Sequence, residues 1–428
     1  MNLTKQVFSK ENMHEAYKAV WRNHGSAGVD GMGLDKLLFH LTRHWEEIKA
    51  QLLEGNYYPQ AVKGVSIKKD SGGERLLGIP TVVDRLIQQA IHQRLSLMWD
   101  KEFSNSSYGF RPKRSAEMAI LQAQSYINSG YAHIVDIDLK SFFDKVNHDY
   151  LMNLLKRKVK DPELLRLIWR FLRSPIQING KLHKRRQGVP QGSPLSPLLS
   201  NIVLDELDKE LERRGVRFVR YADDFSMFMR SKRAANRMNC TITEFIKIKL
   251  HLEVNMTKSK ICRPSNYEYL GYAFVPSYKK GEKGIYQLVV SKSKFSKFKR
   301  ELKRLTRKTI PISFDERIRR INQVLRGWLN YFKHASMYAK LVELDSWLRC
   351  RLRYCIWHHW KKPNKKMRSF IRLGKSPSEA YAWSRTRMGG WRVACSPIMG
   401  TTVTIERLKQ RKYISCVEYY LKLRKHKG

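Results

Sequence analysis

Two adjacent aspartates, Asp223 and Asp224, follow Tyr221 and Ala222 and lie between two short apolar runs, 216–221 and 225–229. Both runs favour strand, which sets the pair at the tip of a tight hairpin. Adjacent acids repel each other and resist burial, so a rigid turn carrying two of them is suited to hold a cation. Upstream, Ile134-Val135-Asp136-Ile137-Asp138-Leu139 is a second strand-like run that carries acid. Bringing Asp138 beside Asp223 and Asp224 would make a carboxylate cluster able to hold two Mg²⁺ ions for phosphoryl transfer, with Mn²⁺ as a substitute. An Asp-Asp pair alone is an ordinary polar turn; the second acidic strand and basic surroundings reverse that reading.

Those surroundings are one-sided. Lys and Arg number 83 against 38 for Asp and Glu, a formal net charge of +45. Phosphate backbones with releasable counterions are the usual partner for such an excess. With 42% hydrophobic and 11% aromatic residues the chain builds real cores, which excludes a basic disordered tail. Its 428 residues suggest two or three packed units. The six cysteines show no framework spacing, so reduced thiols are expected. Cys350, Cys355, His358 and His359 fall within one apparent helix without a second ligand pair, which argues against zinc. No apolar signal core or bilayer-length segment is evident, so a cytoplasmic protein without a membrane partner is expected.

Three stretches follow along the chain. The first, to about residue 60, reads helical at 11–23 and 34–53, with the loop residues 25–31 between. The middle alternates strand (62–67, 132–139, 217–229, 267–274) with helix (83–99, 151–172, 233–252), an α+β pattern unlike a doubly wound sheet. From about residue 291 the chain reads almost wholly helical.

Asp138-Leu139-Lys140-Ser141-Phe142-Phe143-Asp144, then Gln187-Gly188-Val189-Pro190-Gln191-Gly192-Ser193-Pro194-Leu195-Ser196-Pro197, then Tyr221-Ala222-Asp223-Asp224 come in the order of reverse-transcriptase sequence blocks. The chain resembles bacterial group II intron-encoded reverse transcriptases, or maturases. Residues 75–85, Tyr108-Gly109-Phe110-Arg111-Pro112 and Leu325-Arg326-Gly327-Trp328-Leu329-Asn330-Tyr331-Phe332 look like further blocks of that family.

The resemblance implies a right-hand polymerase: an extension and start of the fingers at 1–60, fingers and palm with antiparallel sheet at 61–290, a helical thumb/maturase domain at 291–361, and a basic DNA-binding segment at 362–428. Asp138, Asp223 and Asp224 would be the metal ligands. Phe143 matches the family's steric gate, where a bulky ring collides with a ribose 2′-hydroxyl; its other reading is packing beside Phe142. Gln191 would contact the incoming deoxynucleotide. Lys69 and Arg75 flank a Gly-containing turn and suit triphosphate clamping, Arg75 being the better choice. Lys258 matches a lysine that would protonate pyrophosphate, with Lys260 a close competitor. The 269–272 segment resembles a primer-gripping hairpin, and residues 23–31 a lid over the template. Gly-x-Ser-x-Gly is absent, so Ser193 is no nucleophile.

Between residues 292 and 308 the chain carries nine Lys or Arg and only Glu301 as an acid. Phe295, Phe298, Leu302 and Leu305 recur at helical spacing, leaving an apolar face and a densely basic one. A nucleic-acid backbone would relieve that repulsion. The resemblance supplies the partners: group II intron RNA, an RNA template with a DNA primer, target DNA and deoxynucleotides. No His-Asn-His or paired-cysteine pattern follows Trp391, as in the group IIC branch. Two rivals are a maturase acting purely as an RNA chaperone, and a defence or diversity-generating reverse transcriptase. The three acids oppose the first, and Arg326-Gly327-Trp328 the second.

Overall fold

The computed structural model describes residues 3–68, 72–277 and 284–425. Eleven strands are assigned among them: β1 (Val62–Lys68), β2 (Glu74–Ile79), β3 (His133–Ile137), β4 (Ile176–Ile178), β5 (Lys181–His183), β6 (Arg217–Tyr221), β7 (Asp224–Met229), β8 (Lys260–Cys262), β9 (Glu268–Tyr269), β10 (Tyr272–Pro276) and β11 (Tyr286–Val290). The chain divides into two compact units, Met1–Arg263 and Pro264–Gly428. Together they are α+β, and among the described residues no helix is long and apolar enough to cross a membrane.

The first unit is built on the sheet β6-β7-β3-β8, antiparallel throughout. Its strands are rich in Val, Ile, Phe and Met, residues that suit a pleated, buried surface. Ile134, Val135, Phe218, Val219, Phe225, Met227 and Phe228 are all fully buried there. Helices Ala116–Asn128, Ser196–Arg213 and Lys232–Lys249 pack against it. Leu199, Ile202, Val203, Leu207 and Leu211 turn the buried face of the second of these into the core. A second sheet, β2-β1-β4-β5, pairs β1 with β2 antiparallel and with β4 in parallel.

Two expected elements are each divided. The single helix expected at 151–172 is two, His148–Lys158 and Pro162–Arg173. Asp161 caps the second through Leu164 N–H and also accepts from Thr4 N–H at 2.8 Å and Thr4 Oγ1 at 2.7 Å. Pro162 at the first turn cannot continue a helix but starts one well. The strand expected at 267–274 is a hairpin, with Tyr269 paired to Tyr272 across a two-residue turn.

In the second unit, β9, β10 and β11 form a three-stranded sheet, followed by helices from Lys292 onward. Helix Lys292–Leu305 buries Phe298, Leu302 and Leu305. Phe298 lies flat on Trp328 at 4.0 Å, so this tryptophan of helix Phe314–Tyr331 is a packing residue. Trp357 and Trp360 are buried around Phe370, whereas Trp391 is 41% exposed. Asp345 accepts from Tyr413 Oη, Ser415 Oγ and the N–H groups of Cys416 and Val417, which docks the last helix, Cys416–Lys425.

Candidate metal and nucleotide site

Strands β6 and β7 form a hairpin whose two-residue tip is Ala222-Asp223, with Tyr221 paired to Asp224. Ala222 has a left-handed φ of +60°, uncommon for a residue with a Cβ and worth a structural reason. The reason lies behind the turn. Arg220 is fully buried, and its Nε donates to Asp208 Oδ1 at 2.8 Å. Its Nη1 donates to Asn201 Oδ1 at 2.9 Å and to the Ala222 carbonyl at 3.0 Å, and its Nη2 to Ser107 Oγ at 2.7 Å and to Asp208. Asp208 is likewise fully buried. The pair is therefore matched by hydrogen bonds on every side, the condition under which buried ions are tolerated.

The loop before Arg111 presses on the same turn. Tyr108 N–H donates to the Arg220 carbonyl at 2.8 Å, and Asn201 Nδ2 to the Gly109 carbonyl at 2.9 Å. A Cβ on Gly109 would lie 2.2 Å from Ala222 N, so only glycine permits this approach. Gly188, at φ +84°, is similar: a Cβ there would meet Asp144 O at 2.8 Å. The tight fit fixes the Gln187-Gly188-Val189 turn beside Phe143, whose carbonyl accepts from Val189 N–H at 2.7 Å.

The antiparallel register of β3 with β7 ends at Ile137 opposite Phe225, so one further rung sets Asp138 beside Asp224. Asp138 is pinned from the other side. Its N–H donates to Ser259 Oγ at 3.1 Å, its carbonyl accepts from Asn255 N–H at 2.8 Å, and its Oδ2 accepts from Asn255 Nδ2 at 3.0 Å. Lys258 Nζ lies 3.7 Å from the same oxygen in a solvent-exposed pair. Asp136, two residues back on the same strand face, accepts from Ser226 Oγ at 2.9 Å. The structure thus brings Asp138, Asp223 and Asp224 together and adds Asp136.

The electrostatics record that crowding. Burial, then the charges of Asp136, Asp223 and Asp138, push the Asp224 carboxyl up to about 7. Asp223 is also raised, mainly by burial, with Arg75 the largest opposing charge. A divalent cation would reverse these shifts, and the donors are the hard carboxylate oxygens that Mg²⁺ prefers. Among the described residues no group of three or more Asp, Glu, His or Cys side chains is placed so that together they could hold a metal ion. Mg²⁺ keeps several waters and takes substrate phosphate as ligand, so it needs only one or two carboxylates from the protein.

Arg75 Nε donates to Gln191 Oε1, joining β2 to the Pro-Gln-Gly turn. Next to this bond is a cavity of about 130 Å³ lined by Gly78, Phe143, Arg185, Gln187 and Gln191. It lies below the roughly 300–1,000 Å³ of pockets that enclose a whole small ligand, so it would take in only part of a nucleotide. Phe143 is 8% exposed and meets Phe142 edge-on at 5.2 Å, so it packs and faces the cavity at once. Arg185 Nη1 is buried without a hydrogen-bond partner among the described residues. Lys69 lies outside the described residues.

Sequence reasoning missed Arg220, Asp208, Asn255 and Arg185 as parts of this site. The buried pair had one available signal, an arginine set between apolar residues in the strand run Phe218-Val219-Arg220-Tyr221. Arg185, in the run Lys184-Arg185-Arg186, looks like any solvated basic residue.

Comparison with known proteins gives the family. A reverse transcriptase (RNA-dependent DNA polymerase) family model matches residues 67–274, and a group II intron maturase-specific domain model matches residues 295–373. Protein YkfC of Escherichia coli (strain K12) is 30% identical over 316 residues, covering 64% of this chain and 82% of that protein. The group II intron-encoded protein LtrA of Lactococcus lactis subsp. cremoris is 35% identical over 226 residues, covering 51% of this chain and 36% of LtrA. A chain of a solved partial Cas6-RT-Cas1–Cas2 complex aligns with 58% of this chain and 43% of its own at 25% identity, with a TM-score of 0.38. The chain belongs to the group II intron-encoded reverse transcriptases, RNA-directed DNA polymerases with a maturase-specific domain, whose polymerase domains use divalent metal ions.

Proposed function

We propose that this chain copies its parent group II intron RNA into DNA by two-metal phosphoryl transfer, and binds that RNA to assist splicing and retrohoming into target DNA. The observation that carries the polymerase reading is the convergence of Asp138, Asp223 and Asp224 on one rigid hairpin close to the Arg75–Gln191 bond. Asp138 and Asp223 would be the main Mg²⁺ ligands, with Asp224 and Asp136 deepening the negative field. Bound there, the ions supply a lowered pKa for a primer 3′-hydroxyl and neutralise charge on the leaving pyrophosphate.

The remaining steps belong to the protein. Asn255 and Ser259 hold the backbone and carboxylate of Asp138 in one geometry. Arg75, and Lys69 beside the same turn, would clamp the triphosphate, and Gln191 would orient the nucleotide. Phe143 would refuse a ribose 2′-hydroxyl by filling the space that it needs. Lys258, in this geometry the counter-ion of Asp138, is the proposed proton donor to the leaving phosphate; Lys260 sits across the strand pair from Asp136.

For the RNA role the support is charge. Helix Lys292–Leu305 has one acid, Glu301, and it is engaged by Arg304 at 2.6 Å. The other cations of that helix face solvent, where an RNA backbone would neutralise them. The 291–361 thumb and the 362–428 segment are the proposed RNA and target-DNA surfaces, and the bacterial cytoplasm, at the nucleoid, the proposed place of action. The deciding experiment is primer extension on an RNA template with a DNA primer, Mg²⁺ and deoxynucleotides, with Asp223→Asn alongside. Extension by the parent and none by the variant, with RNA affinity unchanged, is the expected result. RNA binding without extension by either protein would favour a pure RNA chaperone.

A further inference from the structure

Away from the aspartates, the helical unit contains a larger cavity, about 720 Å³, between helix Phe314–Tyr331 and the turn at 410–412. This falls within the range of about 300–1,000 Å³ for pockets that enclose a small ligand. Ile318, 1% exposed, supplies apolar lining. Gln323 and Arg326 line it from the helix, and Gln410 and Lys412 from the turn. We propose that this cavity binds one unpaired nucleotide of a structured RNA, a reading that rests on the RNA-binding function proposed above and adds a base-reading site to it.

The far wall is built rather than incidental. Lys412 has φ +66° just past the end of helix Ile405–Gln410, where its N–H donates to the Lys409 carbonyl at 2.7 Å and Tyr413 N–H to the Leu408 carbonyl at 3.0 Å, the usual closure of a helix end. Asn322 Nδ2 donates to the Lys412 carbonyl at 2.6 Å, and Asn322 Oδ1 accepts from Ile414 N–H at 3.2 Å. Asp345 fixes the residues just beyond, accepting from Tyr413 Oη at 2.9 Å. The backbone of this wall is therefore fixed, while the exposed side chains of Gln323, Arg326, Gln410 and Lys412 are ordered on binding.

Its chemistry selects the ligand. Two of its cations already have acids: Arg411 pairs with Asp315 at 3.1 Å and Arg319 with Glu316 at 2.6 Å. Arg326 and Lys412 have no ion pair among the described residues and suit a phosphate. Gln323 and Gln410 each offer both donors and an acceptor, the combination found along the edge of a base. A continuous duplex is too wide to enter, whereas a bulged or looped-out nucleotide is not. An acidic peptide would satisfy the cations and leave the two amides without purpose.

The test uses the full chain and two labelled RNA hairpins that differ only by a single-nucleotide bulge, plus a third with that bulge made abasic. The bulged hairpin is expected to bind about tenfold more tightly than the paired one, from edge and phosphate contacts to one nucleotide. The abasic bulge should bind like the paired hairpin. Gln323→Leu with Gln410→Leu should remove the preference while the thermal unfolding midpoint and the affinity for the paired hairpin hold. Equal binding of bulged and paired RNA overturns the inference, as does a preference that survives the abasic bulge or the double substitution. An acidic peptide that displaces the bulged but not the paired hairpin overturns it in favour of a protein partner. Failure to bind any of the three hairpins sinks the RNA-binding reading itself, and the inference with it.

Discussion

Like charges are gathered twice in this molecule, and the two gatherings are held differently. In the first unit, Asp136, Asp138, Asp223 and Asp224 are half-buried on adjoining strands, and the charges of the other three raise the cost of ionising Asp224. Strand register and the Arg220–Asp208 network behind the turn hold them together. In the second unit, the cations of helix Lys292–Leu305 share one helix surface but stand in solvent, where water and salt screen them. Buried crowding demands a rigid frame and a small, strongly charged ligand. Exposed crowding tolerates a flexible surface and an extended one. The first arrangement suits a metal ion, the second a phosphate backbone.

The largest effect is expected from breaking the frame. Arg220→Met leaves Asp208 buried and unpaired, and should lower unfolding stability by about 3–5 kcal/mol. Denaturant titration measures the loss, and Arg220→Met with Asp208→Leu should recover part of it. In the milder Arg220→Lys variant, the Mg²⁺ concentration for half-maximal extension should rise, which a purely structural tie would leave unmoved. Next comes the exposed side of the comparison. Neutralising Lys292, Lys294, Lys299 and Lys303 should reduce the slope of log affinity against log salt by about 3–4, at about 0.7–0.9 per lost phosphate contact. An unchanged slope would remove this helix from the RNA surface.

Phe143→Ala should raise ribonucleotide incorporation about tenfold, the scale on which pocket shape discriminates. Competition between matched ribo- and deoxynucleotides reads it, and unaltered sugar selectivity would leave Phe143 a packing residue only. The smallest effect is a pH dependence. The Asp224 carboxyl titrates near 7 in the folded chain, against the ordinary 3.8. The folded state therefore holds the extra proton between those values, and stabilisation present below about pH 4 is lost as pH rises through 7. Metal-free protein should lose about 1–3 kcal/mol between pH 5 and 8, as a pKa unit is worth about 1.4 kcal/mol. Mg²⁺ or Asp224→Asn should flatten that profile; a profile unmoved by either would assign the loss to other groups.

What the sequence disclosed was whatever is encoded locally. The β6–β7 hairpin was legible because apolar strand runs flank a short polar turn, and helix Lys292–Leu305 because its apolar residues recur at helical spacing. Asp161-Pro162 is a readable helix start inside the run 151–172, since a capping acid followed by proline is a standard opening. Other features are encoded by partners far away. Arg220 and Asp208 are polar residues whose full burial depends on Ser107 and Asn201 meeting them. Asn255 is an unremarked loop amide until folding lays it against Asp138. Distances in sequence, not subtle chemistry, concealed these.

The guanidinium of Arg220 also imposes an order of assembly. Its acceptors come from residues 107, 201, 208 and 222. Until all of those segments have been synthesised and packed, nothing tethers the Ala222 carbonyl from behind, and loop closure over such spans is slow to repay its entropy. All of those segments precede helix Lys292–Leu305 in the chain, so the frame of the turn can close before the basic helix has been made. A molecule in which any one of them comes loose keeps the cations of that helix and loses the tether, so catalysis is confined to molecules whose first unit is fully packed.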